Sequence, residues 1–129
     1  MNPARILIVD DDADITEAMR IVLESKGHTI DAAIDSKDAA SRIKSQKPDL
    51  IILDVMMSTK SEGFDFAREL KKDAKTRDIP ILMLTAIKEK TGIDFKPAAG
   101  DETWLPVEDF LDKPVKPEQL IEKVESLLK

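Results

Sequence analysis

The chain contains no cysteine and only one histidine, and both shortages narrow the chemistry open to it. Without cysteine it forms neither a disulfide nor a thiolate nucleophile, although its redox compartment is left undetermined. The single histidine, His28, cannot form a relay between histidines, and we expect it at a strand edge or in a turn. No stretch approaches the roughly eighteen consecutive apolar residues that a membrane span requires. The sequence therefore predicts no membrane partner and, by default, a cytoplasmic location.

Size and charge set milder limits. The 129 residues are enough for one domain with one substantial core, and no repeat, low-complexity tract or linker divides them. We therefore expect residues 1–129 to form a single domain. A hydrophobic content of 42% and a charged content of 36% are ordinary for a folded globular protein. The net charge of -6 argues against direct binding to nucleic acid or to an anionic membrane.

Four apolar runs, each followed by a polar side chain, carry most of the information in the sequence. The runs occupy residues 6–9, 50–53, 81–84 and 110–111, and the polar residues after them are Asp10, Asp54, Thr85 and the pair Asp112-Lys113. Continuous apolar runs fit strands buried on both faces of a parallel sheet. Residues 28–34 form a further, weaker candidate strand. The polar residues would then emerge at one edge of the sheet, which is where open α/β sheets bind ligands.

Segments with helical periodicity separate these strands. The inward face predicted for the first helix consists of Ile15, Ala18, Met19, Val22 and Leu23. Gly27 stands where a C-terminal cap belongs, and Ser36 is placed to cap a second helix. A third helix is expected to start near Ser61 or Glu62, and Pro117 opens the last one. The alternation of strand and helix predicts a doubly wound α/β fold with right-handed crossovers.

The segment 87–106 departs from this alternation. It should supply one more helix, but Gly92, Pro97, Gly100 and Pro106 interrupt it. Because proline removes a helical hydrogen bond and glycine disfavours helical backbone, we expect at most about two turns there. The sequence therefore predicts an irregular or shortened fourth helix.

Asp10, Asp11 and Asp54 form a candidate metal site. Adjacent carboxylates joined by a third from a neighbouring strand repel one another unless a cation or a proton offsets them. Magnesium suits such a site, because it prefers oxygen ligands and keeps waters that a phosphate oxygen can replace. Asp54 can also act as a nucleophile towards phosphorus. The alternative, that aspartates after the first strand merely cap the first helix, is the interpretation we favour for Asp12 alone.

Thr85 and Lys113 supply what the carboxylates lack. A phosphoryl group on Asp54 needs hydrogen-bond donors and a positive charge near its oxygens. The Thr85 hydroxyl can donate to one oxygen, and the Lys113 ammonium can pair with another. Each residue taken singly also has an ordinary interpretation, since threonine is common at strand ends and Lys-Pro is a turn. Together, and in this order along the chain, these residues are a much more specific sign of a phosphorylation site than any one of them alone.

The ordered motifs resemble those of the receiver domain of response regulators in two-component signalling, over nearly the whole chain. The resemblance implies a flavodoxin-like five-stranded parallel sheet with strand order 2-1-3-4-5. The magnesium ligands that it implies are Asp10, Asp11, Asp54 and the backbone carbonyl of Met56. The residues that it implies for phosphorylation are the phosphoacceptor Asp54 with Thr85 and Lys113, and those for a conformational switch are Thr85 and Phe110.

The function implied by the resemblance is a phosphorylation-dependent switch. A histidine kinase or a histidine phosphotransfer protein would phosphorylate Asp54, and the altered surface would bind a downstream protein that the sequence does not identify. The chain would catalyse only its own phosphorylation and dephosphorylation, and we expect no output domain. Residues 57–63 lack the proline common in the family and are one residue longer, so the loop beside the site is expected to differ in shape.

Two other functions stay open at this point. A pseudo-receiver would use the same fold as an interaction module without phosphorylation; the complete set of motifs argues against it, and the altered loop argues for it. A phosphatase of the haloacid-dehalogenase type also uses an aspartate nucleophile, but it needs a second aspartate two residues later, where this chain has Met56. A receiver could also be a free-standing regulator, a phosphorelay intermediate or a part of a larger protein.

Overall fold

The computed structural model describes residues 3–54, 62–85, 108–112 and 115–128, and of Glu62, Thr85 and Asp112 it describes the backbone alone. Its strands are β1 (Arg5–Val9), β2 (Thr29–Ala33), β3 (Leu50–Asp54), β4 (Ile81–Thr85) and β5 (Asp109–Asp112). Its helices, within those ranges, are α1 (Ala13–Glu24), α2 (Ser36–Ser45), α3 (Glu62–Lys72) and α4 (Pro117–Leu128).

The strands pair in parallel in the order β2-β1-β3-β4-β5. The predicted doubly wound, flavodoxin-like sheet with order 2-1-3-4-5 is therefore confirmed. The segment 87–106, predicted to be irregular, and residues 57–61 of the altered loop lie outside the described residues. Among the helices of the described ranges, none is both long enough and apolar enough to cross a bilayer.

Successive strand residues point to opposite faces of the sheet and bury themselves in two cores. The core under α2 and α3 takes the strand residues Leu7, Val9, Ala33, Ile51, Leu53, Ile81, Met83 and Phe110. The core under α1 and α4 takes Ile6, Ile8, Ile30, Leu50, Ile52, Leu82, Leu84 and Leu111. Strand β3 is buried along its whole length. Because each large aliphatic side chain contributes about 1.5–3 kcal/mol when fully buried, the central strands give the sheet edge a rigid support.

Aspartate side chains cap the first two helices. Asp12 caps α1 as predicted, and its Oδ1 accepts two backbone N–H groups of the first turn at 3.0 and 3.2 Å. The prediction for α2 was wrong by one residue, because Asp35 is the cap and Ser36 is the first helical residue. Asp35 Oδ1 accepts the Asp38 N–H at 2.8 Å. Serine and aspartate cap helices about equally well, so the sequence pattern fits either position. Gly27 closes the turn after α1 with φ of 92°, a left-handed conformation that costs glycine little.

Candidate functional site

The register between β1 and β3 places two aspartates side by side. Val9 pairs with Leu53, so Asp10, the residue after Val9, comes next to Asp54, the last residue of β3. The Asp10 N–H donates to the Ala33 carbonyl at 3.1 Å, which continues the pairing of β1 and β2 by one residue. From β1 the chain continues to β2 on one side of the sheet, and from β3 it continues to β4 on the other side. The point between β1 and β3 is therefore a topological switch point, where open α/β sheets form their ligand crevice. The strand register therefore fixes the site.

The carboxylates of Asp10, Asp11 and Asp54 converge there. Their carboxylate oxygens, one from each residue, all lie within 4.8 Å of one another. Asp10 is 2% exposed and Asp54 is 4% exposed, whereas Asp11 faces solvent. Asp10 Oδ1 also accepts the Asp12 N–H at 2.9 Å, which holds the backbone between β1 and α1 in place. The predicted metal-site aspartates are thus brought together, and Asp12 is separated from them by its capping role.

The electrostatics of this cluster favour a bound cation. Three carboxylates at this separation repel one another when they are ionised, and two of them are shielded from water. Oxygen-only donors suit a hard divalent ion such as Mg²⁺, which is held by one or two carboxylates, waters and phosphate oxygens. The donor set of the described residues therefore fits the cofactor that the sequence predicted.

The other predicted site residues are described in part. Asp54 pairs with Leu84 across β3 and β4, so Thr85, the next residue, ends β4 at the same edge of the sheet. Thr85 in turn pairs with Asp112, which ends β5 and directly precedes Lys113. The Thr85 side chain, Lys113 and Met56 lie outside what the structure describes, so their roles stay predictions.

Phe110, the predicted switch residue, is a core residue in this structure. It is 4% exposed and belongs to the hydrophobic core under α2 and α3. It pairs with Met83 in the middle of the register between β4 and β5. The phenyl ring has no polar atom to draw it towards water, which agrees with its inward position.

An apolar groove beside the carboxylates was not predicted from the sequence. It lies between α1 and α4, has a volume of about 300 Å³, and its lining includes Ile15, Ala18, Val22, Val115 and Pro117. Ala18, expected in the core, is exposed here, while Met19 and Leu23 are buried as expected. Alanine is too short to mark a core face by itself, and only the position of α4 decides which side of α1 is covered.

The comparisons with known proteins agree with this geometry. The family model "Response regulator receiver domain" matches residues 6–125. The chain is 37% identical over 125 residues to the "DNA-binding dual master transcriptional regulator RpaA" of Synechocystis sp., covering 97% of this chain and 49% of that protein. It is 39% identical over 124 residues to the "Phosphate regulon transcriptional regulatory protein PhoB" of Pseudomonas aeruginosa, covering 96% of this chain and 51% of that protein. The chain thus spans about half the length of these curated relatives.

Two solved structures show the same relationship along nearly their whole length. A putative response regulator from Chloroflexus aurantiacus superimposes with a TM-score of 0.85 at 31% identity, covering 98% of both chains. The chemotaxis response regulator CheY4 of Vibrio cholerae gives a TM-score of 0.79 at 28% identity, covering 98% of this chain and 100% of that one. With the fold, the placement of the three aspartates and a family match over nearly all of its residues, the chain belongs to the receiver domain family of two-component response regulators.

Proposed function

We propose that this receiver domain is a phosphorylation-dependent signalling switch that accepts a phosphoryl group on Asp54 with the help of Mg²⁺. One observation carries the proposal: the carboxylates of Asp10, Asp11 and Asp54 converge at the switch point of the sheet. A site of this kind can hold a divalent cation beside a carboxylate nucleophile. The three aspartates have different surroundings, which suit them to different roles.

Asp54 is the best-placed acceptor of the three. It ends the fully buried β3, so its position is fixed by packing on both faces of the sheet. Asp10 Oδ1 holds the Asp12 N–H, and Asp11 faces solvent. A carboxylate oxygen of Asp54 would form a bond to phosphorus while the bond from phosphorus to a donor imidazole nitrogen breaks. The imidazole leaves with the electron pair of that bond and takes up a proton from solvent.

Asp10, Asp11 and Asp54 would hold the metal, together with the backbone carbonyl of Met56 that the family resemblance adds. Bound Mg²⁺ supplies positive charge that offsets the repulsion between these carboxylates and the incoming phosphoryl oxygens. Burial of Asp10 strengthens its attraction for a cation, because a buried carboxylate is poorly screened by water.

Thr85 and Lys113 would receive the phosphoryl oxygens. The strand register supports this role for Thr85, because it ends β4 next to β3 at the edge where Asp54 stands. Lys113 follows Asp112 at the end of β5, one strand further along. Contacts that form only after phosphorylation stabilise one of two conformations, which is how a local charge change becomes a switch. In the proposed switch the Thr85 hydroxyl moves towards the phosphoryl group, and Phe110 turns into the space that it leaves. Phe110 is already buried, which favours a weak aromatic switch biased towards the inward position.

The proposed phosphodonor is a histidine kinase or a histidine phosphotransfer protein. The apolar groove supports a protein donor, since it includes Asp14 and Ile15 of the first turn of α1, directly after the acidic cluster. Ala18 and Ile21, on the same helix, are exposed, and Ile21 is 61% exposed. An apolar groove that opens to solvent near a reactive site is typical of a surface that a partner covers.

The substitution Ala18→Arg distinguishes phosphorylation by a protein donor from phosphorylation by a small-molecule donor. Ala18→Arg should slow phosphorylation by a histidine phosphotransfer protein at least about tenfold, because a buried unpaired charge weakens an interface strongly. Phosphorylation by acetyl phosphate should be unchanged. Ser41→Arg, an exposed position on α2 at the other face of the sheet, is the matched control and should affect neither reaction. Equal slowing with both donors would contradict the groove as the contact surface for the protein donor.

The proposal places the chain in the cytoplasm, with a downstream protein as its output partner. The names of RpaA and PhoB describe regulators of transcription, and this chain matches about half of each. With a net charge of -6 the chain is poorly suited to bind nucleic acid directly.

Phosphate stoichiometry distinguishes the three candidate functions. The protein is incubated with Mg²⁺ and excess acetyl phosphate, and both protein-bound and released phosphate are measured over time. The switch predicts incorporation approaching one equivalent. Rapid steady release from several phosphate esters would support a phosphatase. No incorporation with or without Mg²⁺ would support a pseudo-receiver.

A further inference from the structure

His28 lies at the end of the sheet opposite the carboxylates. It directly precedes β2, an edge strand of the sheet, which agrees with the strand-edge position predicted for it. Its side chain is nevertheless only 4% exposed. It is the one histidine of the chain. The phosphorylation chemistry proposed for Asp54 makes no use of it, so its burial must have a separate cause.

The imidazole of His28 connects the starts of β1 and β2. Its Nδ1 accepts the Ala4 N–H at 3.0 Å. The Ala4 carbonyl accepts the Thr29 N–H at 2.9 Å, and the His28 N–H donates to the Leu23 carbonyl at the end of α1 at 3.3 Å. Because Nδ1 is an acceptor, the imidazole is neutral and carries its proton on Nε2.

Protonation would reverse the role of Nδ1. An imidazolium carries hydrogen on both nitrogens, so Nδ1–H would then face the Ala4 N–H, and the hydrogen bond would be lost. Nε2 is buried and has no hydrogen-bond partner among the described residues. The buried imidazolium would therefore gain no acceptor that compensates for its desolvation.

Two charged groups act on the ring besides its burial. Desolvation has the largest effect and lowers the pKa of His28 from 6.5, Glu125 of α4 raises the pKa, and the charge of the amino terminus lowers it. Burial exceeds the opposing effect of Glu125, so the net direction is downward. The folded protein thus disfavours the protonated ring relative to the unfolded chain.

We infer that His28 is a proton-sensitive latch, which holds the starts of β1 and β2 together when neutral and releases them when protonated. This role goes beyond the phosphorylation switch and does not depend on it. A lowered folded-state pKa means that the stabilisation is fully present above about pH 6.5 and is lost as the pH falls below that value towards the folded-state pKa. Within this window the opened form gains population by at most about tenfold for each pH unit.

Amide hydrogen exchange measured by NMR tests the latch in the whole chain. Between pH 7.5 and pH 5.5, protection of the Ala4 and Thr29 amides should fall, by at most about tenfold, after correction for intrinsic exchange. The same two amides in His28→Asn, which does not titrate, are the reference and should change less than about twofold. Equal changes in the wild type and in His28→Asn, or no change in the wild type, would overturn the latch.

Two variants isolate the imidazole. His28→Asn offers an oxygen acceptor near the position of Nδ1 and does not titrate, so it should remove the pH dependence at Ala4. Glu125→Gln removes the charge that raises the pKa of His28 in the folded protein, so the loss of protection should still begin near pH 6.5 but continue to lower pH than in the wild type. A pH dependence that persists in His28→Asn would overturn the latch.

Nitrogen NMR of the imidazole tests the latch in the wild type and so does not depend on whether a variant folds. The single histidine of the wild type gives unambiguous signals. The latch predicts the tautomer with hydrogen on Nε2 at pH 7.5 and a titration midpoint below 6.5. Hydrogen on Nδ1, or a midpoint at or above 6.5, would contradict it.

Discussion

Asp10, directly after β1, and Asp54, the last residue of the neighbouring β3, have carboxylate oxygens within 4.8 Å of each other, and both side chains are almost completely buried. The fold thus holds two like charges together where water screens them poorly. Such an arrangement lowers the stability of the metal-free protein and creates affinity for a cation. Function and stability are opposed at this edge of the sheet.

Magnesium should therefore stabilise the folded protein. At about one hundred times its Kd, Mg²⁺ should raise the free energy of unfolding by about 2.7 kcal/mol, because it binds the folded site and not the unfolded chain. Urea denaturation with and without Mg²⁺ measures this difference. Asp11→Asn should remove most of the effect, whereas Asp14→Asn, an exposed position in the first turn of α1, should retain it. Equal stabilisation of both variants would argue against the carboxylate cluster as the metal site.

An ion pair at the opposite end of the sheet should contribute measurably to stability. Lys71 Nζ, at the end of α3, lies 2.9 Å from Glu108 Oε2 and 3.0 Å from the Ile79 carbonyl, and the Lys71 side chain is 15% exposed. Glu108 Oε1 also accepts the Ile81 N–H at 2.7 Å, at the start of β4. Charge-assisted hydrogen bonds contribute about 1.5–3 kcal/mol, so Lys71→Met should lower the unfolding free energy by about that amount.

A double-mutant cycle isolates that pair. Lys71→Met and Glu108→Gln should show a coupling energy of about 0.5–1 kcal/mol in urea denaturation, because Lys71 is only 15% exposed although Glu108, at 39%, is open to solvent. The exposed pair of Lys47 and Asp78 is the control, and solvent should reduce its coupling. A coupling for Lys71 and Glu108 no larger than that of the control would show that the contacts have little net effect.

Phe110→Ala tests whether the switch aromatic is a core residue. A phenyl ring buried to 4% exposure should cost about 3–5 kcal/mol on removal, because truncation leaves a cavity beside Met83. Phe110→Leu should cost less, since most of the volume is retained. Urea denaturation of the unphosphorylated protein measures both. A loss below about 1 kcal/mol for the alanine variant would indicate that the ring spends most of its time outside the core.

The sequence predicted the fold because its strongest signals are local and repeated. Buried parallel strands require continuous apolar runs, and residues 6–9 and 50–53 meet that requirement without ambiguity. Parallel strands also bring their carboxyl ends to one edge, so Asp10 and Asp54 could be predicted as neighbours before any distance was known. Asp12 could be predicted as a cap because aspartate directly before a helix accepts the free N–H groups of the first turn.

The remaining features depend on tertiary packing. Ser36 and Asp35 are both good caps, and the backbone path out of β2 selects the aspartate. Ala18 falls on the inward side of α1 by helical periodicity, but α4 leaves it exposed at the groove. The contact between His28 and Ala4 joins residues 24 positions apart. No local pattern in the sequence encodes such a contact.

Intact mass spectrometry after incubation with Mg²⁺ and acetyl phosphate tests the central claim most directly. The wild type and Asp14→Ala should each gain one phosphoryl group, and Asp54→Ala should gain none. Circular dichroism spectra of the three proteins would confirm that each is folded. Equal phosphorylation of Asp54→Ala and the wild type would contradict Asp54 as the phosphoacceptor, and no phosphorylation of any of the three would contradict the switch itself.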